Sequence, residues 1–150
     1  MSSIDLTQEE AGALIEMEKH TIDEKKPWDF PGLGGKINIP LIGVNKRENF
    51  FLDISRGKIN LQKGNYQNRA QVCITLIRLD FNGPAHRNPN GEEIQCPHLH
   101  LYREGFGLKW AFEVPEDKFK NLSDLWILLE DFMNYCNITR KPNIVKGLFI

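Results

Sequence analysis

Apolar residues recur at helical spacing near both ends of the chain, and between these ends they alternate with polar residues at the spacing of strands. At the N-terminal end we predict a helix over residues 8–20, because Thr7 and Glu10 form a T-x-x-E capping box at its start. Near the C-terminal end we predict a second helix over residues 122–136. Its broad apolar stripe consists of Leu122, Leu125, Trp126, Leu129, Phe132, Met133 and Cys136.

Between the helices, about six segments have the pattern of β-strands. They are residues 36–44, 49–55, 58–63, 71–80, 96–104 and 108–114. Pro40 predicts that the first lies at a sheet edge, since proline cannot donate to a neighbouring strand. The short Arg56-Gly57 link predicts a two-residue hairpin between the second and third. The run at 71–80 is apolar on both faces, which indicates a central strand.

Two stretches are predicted to lie outside the strands. Residues 64–69, with the sequence GNYQNR, are a polar connector. Residues 81–95 contain two glycines, two prolines and three asparagines, a composition typical of a loop. A loop of this length in a small domain is usually functional or disordered. The side chains on it and beside it are therefore the first candidates for a functional site.

This order of elements predicts an α+β fold, formed as a single domain over residues 1–150. Short links between strands favour an antiparallel sheet of about six strands. The N-terminal and C-terminal helices are expected to pack on one face of that sheet and to leave the other face partly open. A chain of 150 residues is long enough to bury one hydrophobic core.

Composition narrows the functional classes. Hydrophobic residues make up 41% and charged residues 26% of the chain, as in ordinary globular proteins. No apolar run approaches the roughly 18 residues that a membrane-spanning helix needs, and the acidic N-terminus does not resemble a signal peptide. These features predict a cytoplasmic protein without a membrane partner. The three cysteines are widely spaced and odd in number, which argues against a disulfide framework.

The candidate chemistry lies in and after the long loop. Side chains alternate along a strand, so His98 and His100 should project from one side and Leu99 and Leu101 from the other. If the leucines contact the helices, the histidines lie on the solvent-accessible face. His86 lies in the loop, so three of the four histidines fall within 15 positions. We take His86, His98 and His100 as candidate catalytic residues.

One hypothesis is a metal-independent ribonuclease, which would need no cofactor and would have RNA as its partner. Cleavage of RNA needs a base and an acid that titrate near neutrality, which suits a pair of histidines. The charge that develops on the phosphate needs fixed hydrogen-bond donors and cations. The candidate substrate-binding residues are Arg69, Arg87, Tyr102, Arg103 and Lys109. The net charge of −1 gives no overall attraction to nucleic acid.

Two alternatives stay open. The run H-x-H-x-x-x-E resembles the first metal motif of cupins, which implies His98, His100 and Glu104 as ligands of a divalent metal ion. No histidine follows His100, however, so the second cupin motif is missing. The other alternative is a non-catalytic interaction domain that binds a protein partner or a nucleotide.

Several longer motifs of the chain resemble those of one protein family. HRNPNGEE and CPHLHLYREGFGLKWAF, with YQNRA before them and DFMNYCNITR after them, resemble a family of small uncharacterised prokaryotic proteins. The resemblance runs from LTQEEA to the C-terminus. It implies a bacterial, archaeal or phage source and agrees with a toxin-like or defence-associated nuclease, but it brings no established activity.

Overall fold

A computed structural model describes residues 5–60, 62–71 and 73–147 of the chain. These residues form two helices, α1 (Gln8–Glu16) and α2 (Leu125–Tyr135), and twelve strands. The strands are β1 (Lys19–Thr21), β2 (Pro27–Asp29), β3 (Lys36–Gly43), β4 (Asn49–Arg56), β5 (Gly64–Ala70), β6 (Ile74–Phe81), β7 (His86–Arg87), β8 (Glu93–Ile94), β9 (His98–Leu101), β10 (Ala111–Glu113), β11 (Ile138–Arg140) and β12 (Asn143–Val145).

Eight of the strands form one sheet in the order β10-β9-β6-β5-β4-β3-β1-β11. All neighbours in it are antiparallel except β1 and β11, which are parallel. Two small sheets pair β2 with β12 and β7 with β8. The predicted α+β class and the largely antiparallel sheet are confirmed, but about six strands is too few. Apart from β5, the strands that were not predicted have two or three residues each, too few for a period to be visible in the sequence.

The polar stretch predicted as a connector is strand β5, which pairs with both β4 and β6. Tyr66 and Asn68 are fully buried on one side of it. The prediction of a strand over 58–63, with a hairpin at Arg56-Gly57, is wrong. Residues 58–60 lie outside the strands, Ile59 is 96% exposed, and Leu61 lies outside the described residues. Polar side chains on both faces of β5 concealed its alternation from the sequence.

Strand β3 lies inside the sheet, between β4 and β1, so its predicted edge position is wrong. Pro40 is tolerated there because β1 pairs only with Leu41, Ile42 and Gly43. The proline therefore lies beyond the end of β1, where no hydrogen-bond donor is required.

Strand β6 is an interior strand, as predicted for the run at 71–80. It begins later, at Ile74, and Val72 lies outside the described residues. Its pairing with β5 shifts by one residue at Leu76, which is a β-bulge. Leu76 and Ile77 are consequently both fully buried, which explains the apolar run that the sequence shows.

Each helix begins at a capping residue. The predicted capping box of α1 is confirmed: Thr7 Oγ1 accepts from Glu10 N at 3.1 Å, and Glu10 Oε1 accepts from Thr7 N at 2.9 Å. Helix α2 begins after Asp124, whose carboxylate accepts from two backbone amides of the first turn. It packs on the face of the sheet that carries Tyr66, whose hydroxyl donates to Leu125 O at 2.7 Å.

Lys19 joins the C-terminal ends of the two helices. Its ammonium group is fully buried and donates to the carbonyl oxygens of Ile15, Met17 and Cys136 at 2.8 to 2.9 Å. Burial lowers the pKa of Lys19 to about 8. Neither helix among the described residues is long and apolar enough to cross a membrane.

Candidate functional site

The face of the main sheet opposite Tyr66 carries polar side chains in two rows across strands β4, β5, β6 and β9. The first row consists of Ser55, Asn65, Asp80 and His98, and the second of Asp53, Gln67, Arg78 and His100. The two histidines therefore stand beside Asp80 and Arg78 of β6. Neither Asp80 nor Arg78 was among the site residues predicted from the sequence.

His98 and His100 project from the same side of β9, as the alternation predicts, and their ring centroids lie 4.9 Å apart. The expectation that they are accessible to solvent is wrong, because each residue is only 2% exposed. The segment predicted as a loop contains a short hairpin, β7 and β8, and its His86 ring packs against the ring of His100. Asn88 of this hairpin exchanges two hydrogen bonds with the backbone of Ala111.

All three predicted catalytic residues converge. The ring centroid of His86 lies 4.6 Å from that of His100 and 6.0 Å from that of His98. His86 is partly exposed, and its Nε2 donates to the carbonyl oxygen of Lys109 at 2.7 Å. His86 thus borders the other two rings and is anchored by the segment that follows them.

Each nitrogen of the two buried rings has an oxygen close to it. His100 Nδ1 lies 2.7 Å from Leu108 O, and because a carbonyl oxygen only accepts, this Nδ1 carries a proton and, in the neutral ring, Nε2 has a lone pair. His98 has an acceptor 3.3 Å from each ring nitrogen, Gln95 O at Nδ1 and Asp80 Oδ2 at Nε2, so either nitrogen can donate. His100 Nε2 is buried and lies 3.2 Å from the same Asp80 oxygen, but it has no hydrogen-bond partner among the described residues.

Asp80 is the anionic centre of this cluster. Arg78 holds its carboxylate through Nε to Oδ1 at 2.7 Å and Nη2 to Oδ2 at 3.0 Å. Burial raises the pKa of Asp80, but the neighbouring ring nitrogens of His100 and His98 and the Arg78 guanidinium outweigh burial and hold that pKa well below its usual value. Asp80 is therefore a carboxylate, and each of its two contacts with a ring nitrogen needs a proton or a metal ion between the nitrogen and the oxygen.

A cleft of about 360 Å³ opens beside Asp80. Its walls come from the ends of β4, β5 and β6 and from the loops next to them. They are formed by Ser55, Arg56, Gly57, Lys63, Gly64, Asn65, Arg78, Asp80, Phe81, Gly83 and Pro84. The side chain of Asp80 is 22% exposed, whereas those of His98 and His100 are 3% exposed. Asp80 therefore connects the buried cluster to the cleft.

The predicted substrate-binding residues are dispersed. Arg87 belongs to the hairpin, where it donates to Gly91 O at 2.9 Å. The guanidinium of Arg103 lies 4.7 Å from the centroid of the Trp110 ring. Lys109 contacts His86 through its backbone carbonyl. Arg69 forms a buried ion pair with Asp53 two strands away from β9.

Glu104 and Tyr102 lie near the start of α1 and not in the cluster. Glu104 Oε1 accepts from Gln8 N at 2.8 Å. Among the described residues, the group whose side chains can hold a metal ion is Asp80, His98 and His100. The carboxylate of this group thus comes from β6 and not from the H-x-H-x-x-x-E run.

Replacement of Tyr102 by Phe is expected to lower the free energy of unfolding by about 1 to 2 kcal/mol. It should not change the binding of any ligand at the Asp80, His98 and His100 cluster. The Tyr102 hydroxyl is buried, donates to Leu6 O at 3.0 Å and accepts from Leu6 N at 2.8 Å. The variant would leave both backbone groups without this partner. Urea denaturation measures the change, and a loss of ligand affinity without a loss of stability would contradict the structural role.

Comparison with known proteins assigns the chain to a family. The sequence profile of a family described as DUF6978, a family of unknown function, matches residues 6–138. The match spans all the residues of the cluster and confirms the predicted membership of a family without an established activity. No curated protein and no solved structure matches the chain.

Proposed function

We propose a function that is based on the geometry of the site. The family to which the chain belongs, DUF6978, has no known function that could be carried over. Asp80, His98 and His100 bind one divalent transition-metal ion. The protein is a metal-dependent enzyme whose substrate occupies the cleft beside Asp80. Two imidazole nitrogens and one carboxylate oxygen are a common ligand set for zinc and for non-haem iron in enzymes.

One observation carries the proposal. The Nε2 atoms of two buried rings lie 3.3 and 3.2 Å from the same carboxylate oxygen, and among the described residues that of His100 has no hydrogen-bond partner. A lone pair next to an anion in a buried place is unfavourable unless a cation lies between them. A divalent ion satisfies both nitrogens and the carboxylate together.

The distances between the ligand atoms agree with this assignment. Zinc–nitrogen and zinc–oxygen bonds of about 2.0 to 2.2 Å place tetrahedral ligand atoms about 3.3 Å apart. The Nε2 atoms of His98 and His100 lie 3.3 and 3.2 Å from Asp80 Oδ2. The three ligand atoms all lie within 4.8 Å of one another.

The surrounding groups have the arrangement that metal-binding histidines need. The carbonyls of Leu108 and Gln95 lie where they can accept from the Nδ1 groups of His100 and His98, which leaves each Nε2 to bind the ion. Arg78 orients the Asp80 carboxylate through two hydrogen bonds. His86 and its hairpin cover the rings, so the cleft beside Asp80 is the route by which a substrate approaches.

Three protein ligands leave coordination positions open for water or substrate. A divalent ion at such a site supplies a Lewis acid and lowers the pKa of a bound water toward neutrality. Arg78 places a fixed positive charge at the boundary between the cluster and the cleft, where it can stabilise negative charge on a substrate.

The test is metal binding by untagged protein. The wild type should bind one equivalent of Zn²⁺ or Co²⁺ in a calorimetric titration, and His98→Ala and His100→Ala should each weaken binding at least a hundredfold. His20→Ala is the matched control, because His20 pairs with Glu18 away from the cluster. This substitution should leave the affinity for the metal ion unchanged. The absence of a stoichiometric site, or equal binding by all three variants, would refute the proposal.

A metal-independent ribonuclease is the second proposal, and Arg78 is the observation that favours it. A guanidinium lies in contact with the carboxylate that the two imidazoles share, so an acid, a base and a phosphate-binding cation are grouped together. This proposal requires RNA cleavage that persists in excess EDTA and disappears in His98→Ala. Cleavage that needs a metal ion would refute the ribonuclease proposal and support the metal-dependent enzyme.

A further inference from the structure

We infer that the cleft beside Asp80 binds the phosphate group of a phosphate ester. The claim that such an ester is the substrate rests on the proposed metal-dependent function. The claim that the cleft binds the ester depends only on the residues of the cleft, and it can be tested without a metal ion.

Hydrogen-bond donors dominate the polar part of the cleft. Ser55, Lys63 and Asn65 line it, and in the described part of the chain their side chains have no hydrogen bond or ion pair with another residue. Arg78 uses Nε and Nη2 for Asp80, which leaves Nη1 for a ligand. Arg56 also lines the cleft, and its Nη1 donates to Pro31 O at 3.1 Å. Three cations and two neutral polar groups thus border the same space.

The carboxylate acceptor in the cleft is already hydrogen-bonded within the protein. The side-chain anion in the lining is Asp80, and both of its oxygens accept from Arg78. A ligand in this cleft therefore meets donors in excess and needs several acceptor atoms and a negative charge. A phosphate group meets this requirement, because its oxygens accept charge-assisted hydrogen bonds from Arg and Lys.

The donors come from three neighbouring strands and from one loop. Ser55, Asn65 and Arg78 come from β4, β5 and β6, and Lys63 comes from the loop before β5. The remaining lining includes Gly83 and Pro84, which provide apolar surface for the organic part of an ester. A volume of about 360 Å³ is within the range of small-molecule sites.

Hydrolysis is the reaction that needs no further reactant. A bond forms between a water oxygen and phosphorus, the bond from phosphorus to the leaving oxygen breaks, and the leaving alcohol gains the proton that the water loses. Because Asp80 lies both in the cleft and in the metal-binding cluster, the phosphorus would lie next to the proposed ion.

The experiment measures equilibrium binding of adenosine 5′-monophosphate, inorganic phosphate and adenosine to EDTA-treated full-length protein by calorimetry. The nucleotide should bind, inorganic phosphate should bind more weakly, and adenosine should not bind. Lys63→Met should weaken nucleotide binding about tenfold, and Lys63→Glu should weaken it further. Lys58→Met is the matched control, because it removes the same charge from the same loop without lining the cleft, and its affinity should stay within twofold of the wild type.

Several results would overturn the inference. They are no binding of the nucleotide, equal binding by wild type and Lys63→Glu, equal binding of adenosine, or binding of inorganic phosphate more tightly than of the ester. Binding that appears only after metal is added and is indifferent to Lys63 would also overturn it. If no metal binds but the nucleotide binds in a manner that depends on Lys63, the metal proposal fails and the cleft assignment stands.

Discussion

Protein saturated with its divalent ion should unfold about 10 °C above the same protein in excess EDTA. At a metal concentration about a thousand times the dissociation constant, binding to the folded state adds about 4 kcal/mol to the free energy of unfolding. In a chain of this length, each kcal/mol shifts the melting temperature by about 2 to 4 °C.

The stabilisation should be large because the ligands join separate strands. Asp80 belongs to β6, whereas His98 and His100 belong to β9, so the ion can bind at this site only when the two strands are paired. Removal of the ion returns the buried His100 Nε2 to contact with the partly buried Asp80 carboxylate without a hydrogen bond, which is unfavourable.

Calorimetric melting of the wild type and of His100→Ala with and without EDTA checks this result. The variant should melt at the same temperature in both conditions, and His20→Ala should keep the full difference. A wild type whose melting temperature does not respond to the chelator would contradict the prediction, provided that elemental analysis shows the ion was bound before treatment.

Arg69→Met is expected to lower the free energy of unfolding by about 3 to 5 kcal/mol, although the sequence suggested a role for Arg69 in substrate binding. Asp53 is 1% exposed, and Arg69 donates to its two oxygens at 2.8 and 2.9 Å. Loss of the guanidinium leaves a buried carboxylate whose side-chain partners, in the described part of the chain, are the amides of Asn38 and Gln67.

Two comparisons separate this mechanism from a general loss of charge. Asp53→Asn combined with Arg69→Met removes the uncompensated anion and should recover part of the lost stability. Arg140→Met breaks an ion pair with Glu24 in which both side chains are 57% exposed, and it should cost less than about 1 kcal/mol. Urea denaturation measures all variants, and equal effects of Arg69→Met and Arg140→Met would contradict a buried pair.

The same pair makes stability depend on pH. Burial raises the pKa of Asp53, but hydrogen bonds from Arg69, Asn38 and Gln67 outweigh burial and lower it. The folded protein therefore binds fewer protons at this site than the unfolded chain. Its stabilisation is complete above the unfolded value of about 4 and is lost as the pH falls through the folded pKa.

Local features of the chain were open to prediction because neighbouring residues determine them. The capping box of Thr7 and Glu10 involves residues three positions apart, and the structure confirms it. The placement of His98 and His100 on one side of a strand follows from the alternation of side chains and is likewise confirmed.

Strand β5 shows where a local pattern misleads. Its sequence, GNYQNRA, has few apolar residues, because one of its faces belongs to the polar surface of the sheet. The next-door segment, residues 58–63, has the alternation of a strand but lies outside the strands where it is described. Burial on β5 comes from strands and a helix that are distant in sequence, so the local pattern could not reveal it.

The amino-acid sequence by itself determined the α+β class, the central position of β6 and the cluster of histidines around β9. Only the tertiary structure decided that Asp80 and Arg78 complete the cluster, that a hairpin covers it, and that Tyr102, Arg69 and Glu104 lie elsewhere. The physical reason is that periodicity and capping depend on residues within a turn or a strand. The partners of His98 and His100 depend on the register between β6 and β9, which the packing of the whole sheet sets.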